Sequence, residues 1–477
     1  MKWLFLVNNI DLMMEFLGKL AFEASKNKDD CVLVCNSKMA EYRKVSFFPT
    51  QAKVISKVDW LALYYDHATK VPPDISWKEF FATFERKADL MNLDYQHSVE
   101  IVQQLYQFFE FVFTTEKPDI VVNEAPANVF NSIAYYFCQK YKIPYIGFIG
   151  SKFRDKIDVY NKPHTLSLYE KTFKGLNDKD ISPVELQFAK TFIEDFTSHK
   201  KLPSYMDFQF EFSKLKGPSR YIKRQINLAP HFLKYLSKRR LLSKFDYESE
   251  SYIQYNKMRP IRSLIREFRA IYYKKAYKKM DKVDQFFLYP LHFHPEASTL
   301  VLATYFSDQL NSIKNMAFSL PFPYKLYVKE HPIALGTRSA DFYRQIKKLP
   351  NVVLISSKEN NKDLIEKSKG IITLTSTVGM EAALLGKPVY VLGDVFYDFH
   401  PLCQKIKSFE QLRLAIVKDI SEGVHAESLD EINRRFIISY FINTVPGDVV
   451  QALKDNDSND YQEIYKTITK IISRINE

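Results

Sequence analysis

Four short stretches of the chain hold residues whose types and spacing could do chemistry. In "LTSTVGMEAALLGKP" a β-branched run ends at Thr375, and Ser376, Thr377 and Gly379 stand where a helix-like pattern begins. The first turn of a helix leaves N–H groups unpaired, and its dipole favours an anion. Two hydroxyls and a glycine that admits a ligand to the backbone would complete a phosphate cradle, with Glu381 placed to accept from ribose hydroxyls. The same residues also fit an ordinary Ser/Thr helix cap. Gly386-Lys387-Pro388 reads as a helix end followed by a stop. In "KEHP", Lys329, Glu330 and His331 bring a cation, a carboxylate and an imidazole to one turn, and Pro332 holds His331 extended. A solvated loop has the same composition.

The third stretch, "LHFHPEAST", sets His292 and His294 on one face of a strand and Glu296 at a helix start. Glu296 is either a carboxylate for acid–base work or a first-turn acid on the helix dipole. Two histidines could begin a metal site, but no third ligand stands at a matching spacing, and no metal is assigned. The fourth, "NEAP", places Glu124 at a strand end, as a candidate general base or as part of a solvated turn.

These residues need a scaffold, and the pattern supplies one. "KWLFLVNN", "CVLVCNS", "DIVVNEAP" and "PYIGFIG" read as buried strands, separated by helix-like blocks at 10–26, 98–115 and 127–141. After Asp284 the alternation resumes with "QFFLYPLHF", "YKLYVKEHP", "NVVLIS", "GIITLTS" and "KPVYVLG". The intervening helices fall at 298–316, 339–348, 361–368 and 377–385. Strands alternating with helices predict parallel sheets in two α/β domains. The expected organisation is a first domain over 1–213, a basic helical segment over 214–283, a second domain over 284–445 and a helical tail over 446–477. Ligands of open α/β sheets bind beyond the carboxyl ends of strands, where all four stretches lie.

Composition narrows the class. The chain has 477 residues, and its formal charge of +12 is unevenly spread. Residues 214–282 alone carry a net +15, and the remainder is slightly acidic. Within that segment Ile261, Leu264, Ile265, Phe268, Ile271 and Tyr272 form an apolar stripe, with Arg262, Arg266, Arg269 and Lys274 off it. Four scattered cysteines make no disulfide framework and read as buried small hydrophobes. The N-terminal apolar run turns polar at Asn8, too soon for a signal peptide, and no spanning helix is expected. Neither GxxxxGK[ST] nor GxGxxG occurs, which excludes the P-loop and dinucleotide fingerprints.

In order, "YPLHFHPEAST", "LYVKEHP", "LPNVVLI" and "GIITLTSTVGMEAALLGKPVYVLGDVFYD" resemble the bacterial capsule polysaccharide biosynthesis proteins, which include β-Kdo transferases. The likeness is strong over 284–400 and loose around "DIVVNEAPANVF". It implies a GT-B-like fold, two Rossmann-like domains facing a cleft, with the nucleotide held mainly by the second. Carried over, His331-Pro332 and Ser376-Thr377 would contact the CMP part of a donor. Glu296 falls where the transferases have Asp, and His292 where Gln is usual.

The resemblance thus implies a glycosyltransferase with a CMP-linked sugar as co-substrate and no cofactor. Transfer from a UDP-sugar or a CDP-alcohol, and a non-catalytic assembly protein, are the alternatives. Glu296 and Glu124 are the carboxylate candidates. Lys329, His331 and the 376–379 helix start are the groups for the leaving phosphate, so the reading requires no metal. The acceptor would be a lipid-linked or glycan chain. The basic segment would face the anionic inner surface of the bacterial cytoplasmic membrane, making the protein cytoplasmic and peripheral. No nucleic-acid motif accompanies the charge.

Overall fold

The computed structural model describes the chain except residues 45–46, 79, 82, 84–93, 154, 163–166, 178–180, 199–229, 240–241, 274–275, 282, 424–427, 454–456 and 477. It divides into two units, Met1–Tyr255 with Ile438–Glu477, and Asn256–Ile437.

The first unit is built on β1 (Lys2–Val7), β2 (Asp30–Cys35), β3 (Lys53–Ser56), β4 (Ile120–Glu124), β5 (Tyr145–Gly150) and β6 (Lys156–Tyr160). The apolar run at 3–7 forms a strand buried on both faces. Trp3, Phe5 and Val7 enter one core, Leu4 and Leu6 the other. The sheet order is β6-β5-β4-β1-β2-β3, parallel except for β6. The chain winds outward from β1 through β2 and β3, then returns to place β4 on the other side of β1. That reversal is a topological switch point, flanked by Asn8 after β1 and Glu124 at the end of β4.

The second unit repeats the plan with β7 (Phe286–Pro290), β8 (Lys325–Lys329), β9 (Val352–Ile355), β10 (Ile371–Thr373), β11 (Val389–Val391) and β12 (Cys403–Lys405). Its order is β12-β11-β10-β7-β8-β9, all parallel, with the switch point between β7 and β10. Phe287, Tyr289, Leu326, Val328, Ile372 and Tyr390 share one core. Two parallel α/β units and a helical C-terminal region make up the expected fold class.

Three local expectations are corrected. Residues 298–316 are not one helix: short turns at Ala297–Leu300 and Thr304–Phe306 precede a helix over Gln309–Ser319. Asp308 caps that helix by accepting from the N–H groups of Leu310 and Asn311. The 151–213 region, whose less regular pattern reads as mostly helical, contains the strand β6. The tail is not wholly helical, since β13 (Val445–Pro446) pairs antiparallel with β6. The Tyr461–Asn476 helix then buries Ile464, Ile468, Ile471 and Ile472 against the core of Trp3 and Phe5.

Candidate functional site

In the second unit the carboxyl ends of β7, β8 and β10 bring the sequence-selected residues to one edge. His292 lies just beyond β7 and is 5% exposed. Its Nε2 accepts the Thr375 N–H at 3.0 Å, which puts the ring proton on Nδ1. Its backbone N–H donates to Gln309 Oε1 at 2.8 Å, and its carbonyl accepts from Gln309 Nε2 at 3.1 Å and from Arg338. His292 therefore stitches the end of β7 to the end of β10 across the switch point. Burial first, then the nearby His331 and Arg338, pulls its pKa down to about 3, so it is neutral at pH 7. Its Nδ1 is buried without a protein partner.

The β8 end separates the residues of "KEHP" into different jobs. Glu330 is 1% exposed and fully engaged inside the protein. Its Oε1 accepts from the His331 N–H at 2.8 Å and Arg338 Nη1 at 2.7 Å, and its Oε2 from Tyr343 at 2.5 Å and Tyr277 at 3.0 Å. It anchors the loop. His331 Nδ1 accepts the Ile333 N–H at 3.2 Å, capping the Pro332–Ala334 turn and leaving the proton on Nε2. Burial, and next the Arg338 charge, lowers its pKa to about 4. The half-buried ring is thus a neutral N–H donor. Lys329 is buried, and its Nζ meets the Ser357 carbonyl at 3.4 Å. Burial lowers its pKa to about 8, opposed by the charges of Glu381 and Glu359.

At the β10 end Ser376 is the cap of the Thr377–Leu384 helix. Its Oγ accepts the Val378 N–H at 3.3 Å, and its own N–H donates to Thr373 Oγ1 at 2.9 Å. Thr377 opens the first turn and is half-buried. Gly379 has a structural reason besides the expected one. A Cβ there would lie 2.2 Å from the Tyr397 hydroxyl, which donates to Ser376 O at 2.5 Å. The glycine makes room for the protein's own tyrosine, and a ligand's approach is not needed to explain it. Glu381 is likewise buried, as a countercharge near Lys329.

Glu296 is exposed and accepts from Ser298 Oγ at 2.8 Å. The Ser298 carbonyl accepts from Thr375 Oγ1 at 2.9 Å, so two hydrogen bonds connect this carboxylate to the residue before Ser376. His294 is half-buried, with Nδ1 3.0 Å from the Thr299 hydroxyl. Among the described residues no group of three or more His, Cys, Asp or Glu side chains could hold a metal ion. Arg338 and Gln309 belong to this edge and were missed, because neither sits in a recognisable motif; Thr375, legible from the sequence only as a strand end, belongs to it too.

Glu124 belongs to the first unit. Its Oε1 accepts from Asn8 Nδ2 at 3.4 Å across that sheet's switch point, and its carbonyl accepts from the Tyr145 hydroxyl at 2.7 Å. The turn after it passes so near Gly147 that a Cβ there would fall 2.8 Å from Ala125 Cα.

Of the basic-segment residues, Arg262 and Arg269 are exposed on the Tyr247–Tyr273 helix, and Lys274 lies outside the described residues. Arg266 is engaged with the protein, donating to Ile333 O at 2.6 Å and Leu335 O at 3.1 Å. No described helix is long and apolar enough to cross a membrane.

Among solved structures the chain is similar to a KpsC beta Kdo 2,7 transferase of Thermosulfurimonas dismutans, with a TM-score of 0.38 and 11% identity over 76% of this chain and 90% of that one. A KpsC beta Kdo 2,4 transferase of the same organism gives 0.34 and 14% over 67% and 88%. A UDP-GlcNAc 2-epimerase of Neisseria meningitidis bound to UDP-GlcNAc gives 0.29 and 13% over 99% and 100%. No curated protein matches the sequence. The sequence model described as capsule polysaccharide biosynthesis protein matches residues 174–418, just over half of the chain, and the chain belongs to that family.

Proposed function

We propose that the chain is a glycosyltransferase of bacterial surface polysaccharide assembly that takes its sugar from a nucleotide-activated, CMP-linked donor. The observation that carries this reading is the furnishing of the β7/β10 switch point. A buried lysine and a neutral imidazole N–H at the end of β8, and the start of a helix at the end of β10, lie on either side of β7. Such groups suit a phosphate that gains charge as the sugar leaves. Lys329 supplies charge, His331 Nε2–H donates, and the first turn of the Thr377–Leu384 helix contributes its dipole. Glu296 supplies the exposed carboxylate, tied through Ser298 to Thr375 before the helix start. The acceptor is a lipid-linked or glycan chain, reached from the inner face of the cytoplasmic membrane.

Calorimetric titration with CMP, CDP and UDP tests the donor. CMP should bind most tightly, and His331→Ala should weaken it about tenfold, the worth of one hydrogen bond to a charged group. Tighter binding of UDP or CDP would move the donor to a UDP-sugar or a CDP-alcohol. Absence of binding by all three would remove the enzyme reading.

A further inference from the structure

The Tyr247–Tyr273 helix is seated on the second unit by its polar face. From the start of that unit at Asn256 onward, Arg266 binds the Ile333 and Leu335 carbonyls. Gly336, at φ 79°, lies against the backbone of Arg266 and Ala270, and a Cβ there would be 2.1 Å from Arg266 O. Tyr273 is buried and packs on Tyr343, ring centroids 4.6 Å apart. The apolar stripe is left on another face. Ile261, Leu264, Ile265, Phe268, Ile271 and Tyr272 follow the spacing i, i+3, i+4, i+7, i+10, i+11, and each is between 44% and 76% exposed. An amphipathic helix ordinarily turns such a stripe toward its own core. Here the contacts that hold the helix turn it outward.

We infer that this stripe is a membrane-insertion face that docks the second unit on an anionic bilayer, with the helix lying in the interface. This rests on the proposed function only in supplying a lipid-borne acceptor as the reason for docking. Charge selects the occupant. Exposed Arg262 and Arg269 line one flank of the stripe, and exposed Glu267 lies on the other. From Asn256 to Tyr273 the helix carries five Lys/Arg and one Glu, so a second copy laid on the stripe would set like charge against like, whereas an anionic leaflet attracts it. An apolar stripe edged by arginine is what an interfacial helix presents to a headgroup layer. The inference alters the role expected of the arginines: Arg266 serves the seat, and the apolar residues supply insertion.

The test uses the full chain with vesicles of phosphatidylcholine, alone or mixed with phosphatidylglycerol. Sedimentation should show binding to the mixed vesicles. Replacing three exposed side chains together, Leu264→Ser, Phe268→Ser and Ile271→Ser, should weaken it about a hundredfold. Far-UV circular dichroism and CMP affinity should stay at wild-type values. Tyr272→Trp should give an emission that shifts to the blue on mixed vesicles. Arg262→Glu with Arg269→Glu should weaken binding to mixed vesicles alone. A wild-type chain that ignores both vesicles, or a triple variant that binds as the wild type does, overturns the inference. So does a wild-type dimer in analytical ultracentrifugation that the triple variant dissociates, since the stripe would then belong to a second copy. CMP affinity on the same samples reports separately on the donor site.

Discussion

The two units share a doubly wound plan and a switch point, yet furnish their carboxyl edges differently. At the first unit's edge stand amides: Asn8, Asn9 and Asn36, with Glu124 held by one of them. The Oδ1 atoms of Asn9 and Asn36 are buried without a protein partner. The cation that begins the helix after β2, Lys38, is neutralised by Glu41 at 2.6 Å and Asp59 at 2.7 Å. At the second unit's edge stand imidazoles, hydroxyls and a buried lysine that meets the Ser357 carbonyl at 3.4 Å, with Glu381 and Glu359 as countercharges. One edge suits neutral, hydroxyl-rich groups, and the other suits an anion. The fold is common to both, and the difference in chemistry lies in the residues after each strand.

The sharpest way to break that contrast is to ask which edge supplies the carboxylate of the reaction. Glu296→Gln should lower kcat by about 10²–10⁴-fold, the usual range for loss of an acid–base group, with CMP affinity unchanged. Glu124→Gln, at the amide edge, should instead raise the acceptor KM about tenfold while kcat holds. Steady-state kinetics that show the reverse would move the chemistry to the first unit. Full activity in both variants would show that neither carboxylate takes part.

The next effect is structural and confined to the second unit. Glu330 has a fully buried carboxylate, and Arg338, itself 10% exposed, is its cation at 2.7 Å. Arg338→Met leaves that charge uncompensated and should cost about 3–5 kcal/mol in urea unfolding. Arg338→Met combined with Glu330→Gln should recover much of the loss, because the stranded charge is gone. A single variant that costs under ~1 kcal/mol would show that the pair does not hold the loop. The first unit offers a control in Lys38, whose partner Asp59 is half exposed. Asp59→Asn should cost only about 1 kcal/mol or less, as solvent screens that contact.

The contrast also explains how much was legible beforehand. Buried parallel strands such as 3–7 read as continuous apolar runs, and Ser376 and His331 announced themselves by following such runs. What was not legible was set by contacts distant in sequence. β13 exists because Val445 meets Ile157, and the last helix packs on Trp3 and Phe5. The 298–316 region kept its apolar spacing through two breaks, so periodicity could not reveal the new start at Asp308. Arg338 stands nine residues beyond β8 with nothing in "LGTRSAD" to mark it. Gly379 was readable as special, but only the fold shows that Tyr397 fills its Cβ space. Arg266 and Glu330 show the same limit: a charged residue in a suggestive pattern was spent on anchoring the unit.

The smallest expected effect is a pH dependence that sets the charged edge apart from the amide edge. Burial lowers the Lys329 pKa from 10.5 to about 8, against the pull of Glu381 and Glu359. Below pH 8 the ammonium is present. If it faces the donor phosphate, CMP affinity should fall by up to about tenfold between pH 8 and 9, with a slope of one proton. The bound anion raises the pKa again, so binding near pH 8.5 should take up a proton, seen as a heat that depends on the ionisation enthalpy of the buffer. Stability should move the other way. Between about 8 and 10.5 the unfolded chain holds this proton and the folded one does not, so the Lys329 contribution makes the unliganded protein more stable as pH rises. Lys329→Met should flatten both trends. Affinity and stability that change in the same direction across this window would mean that Lys329 is buried for packing and does not meet the donor.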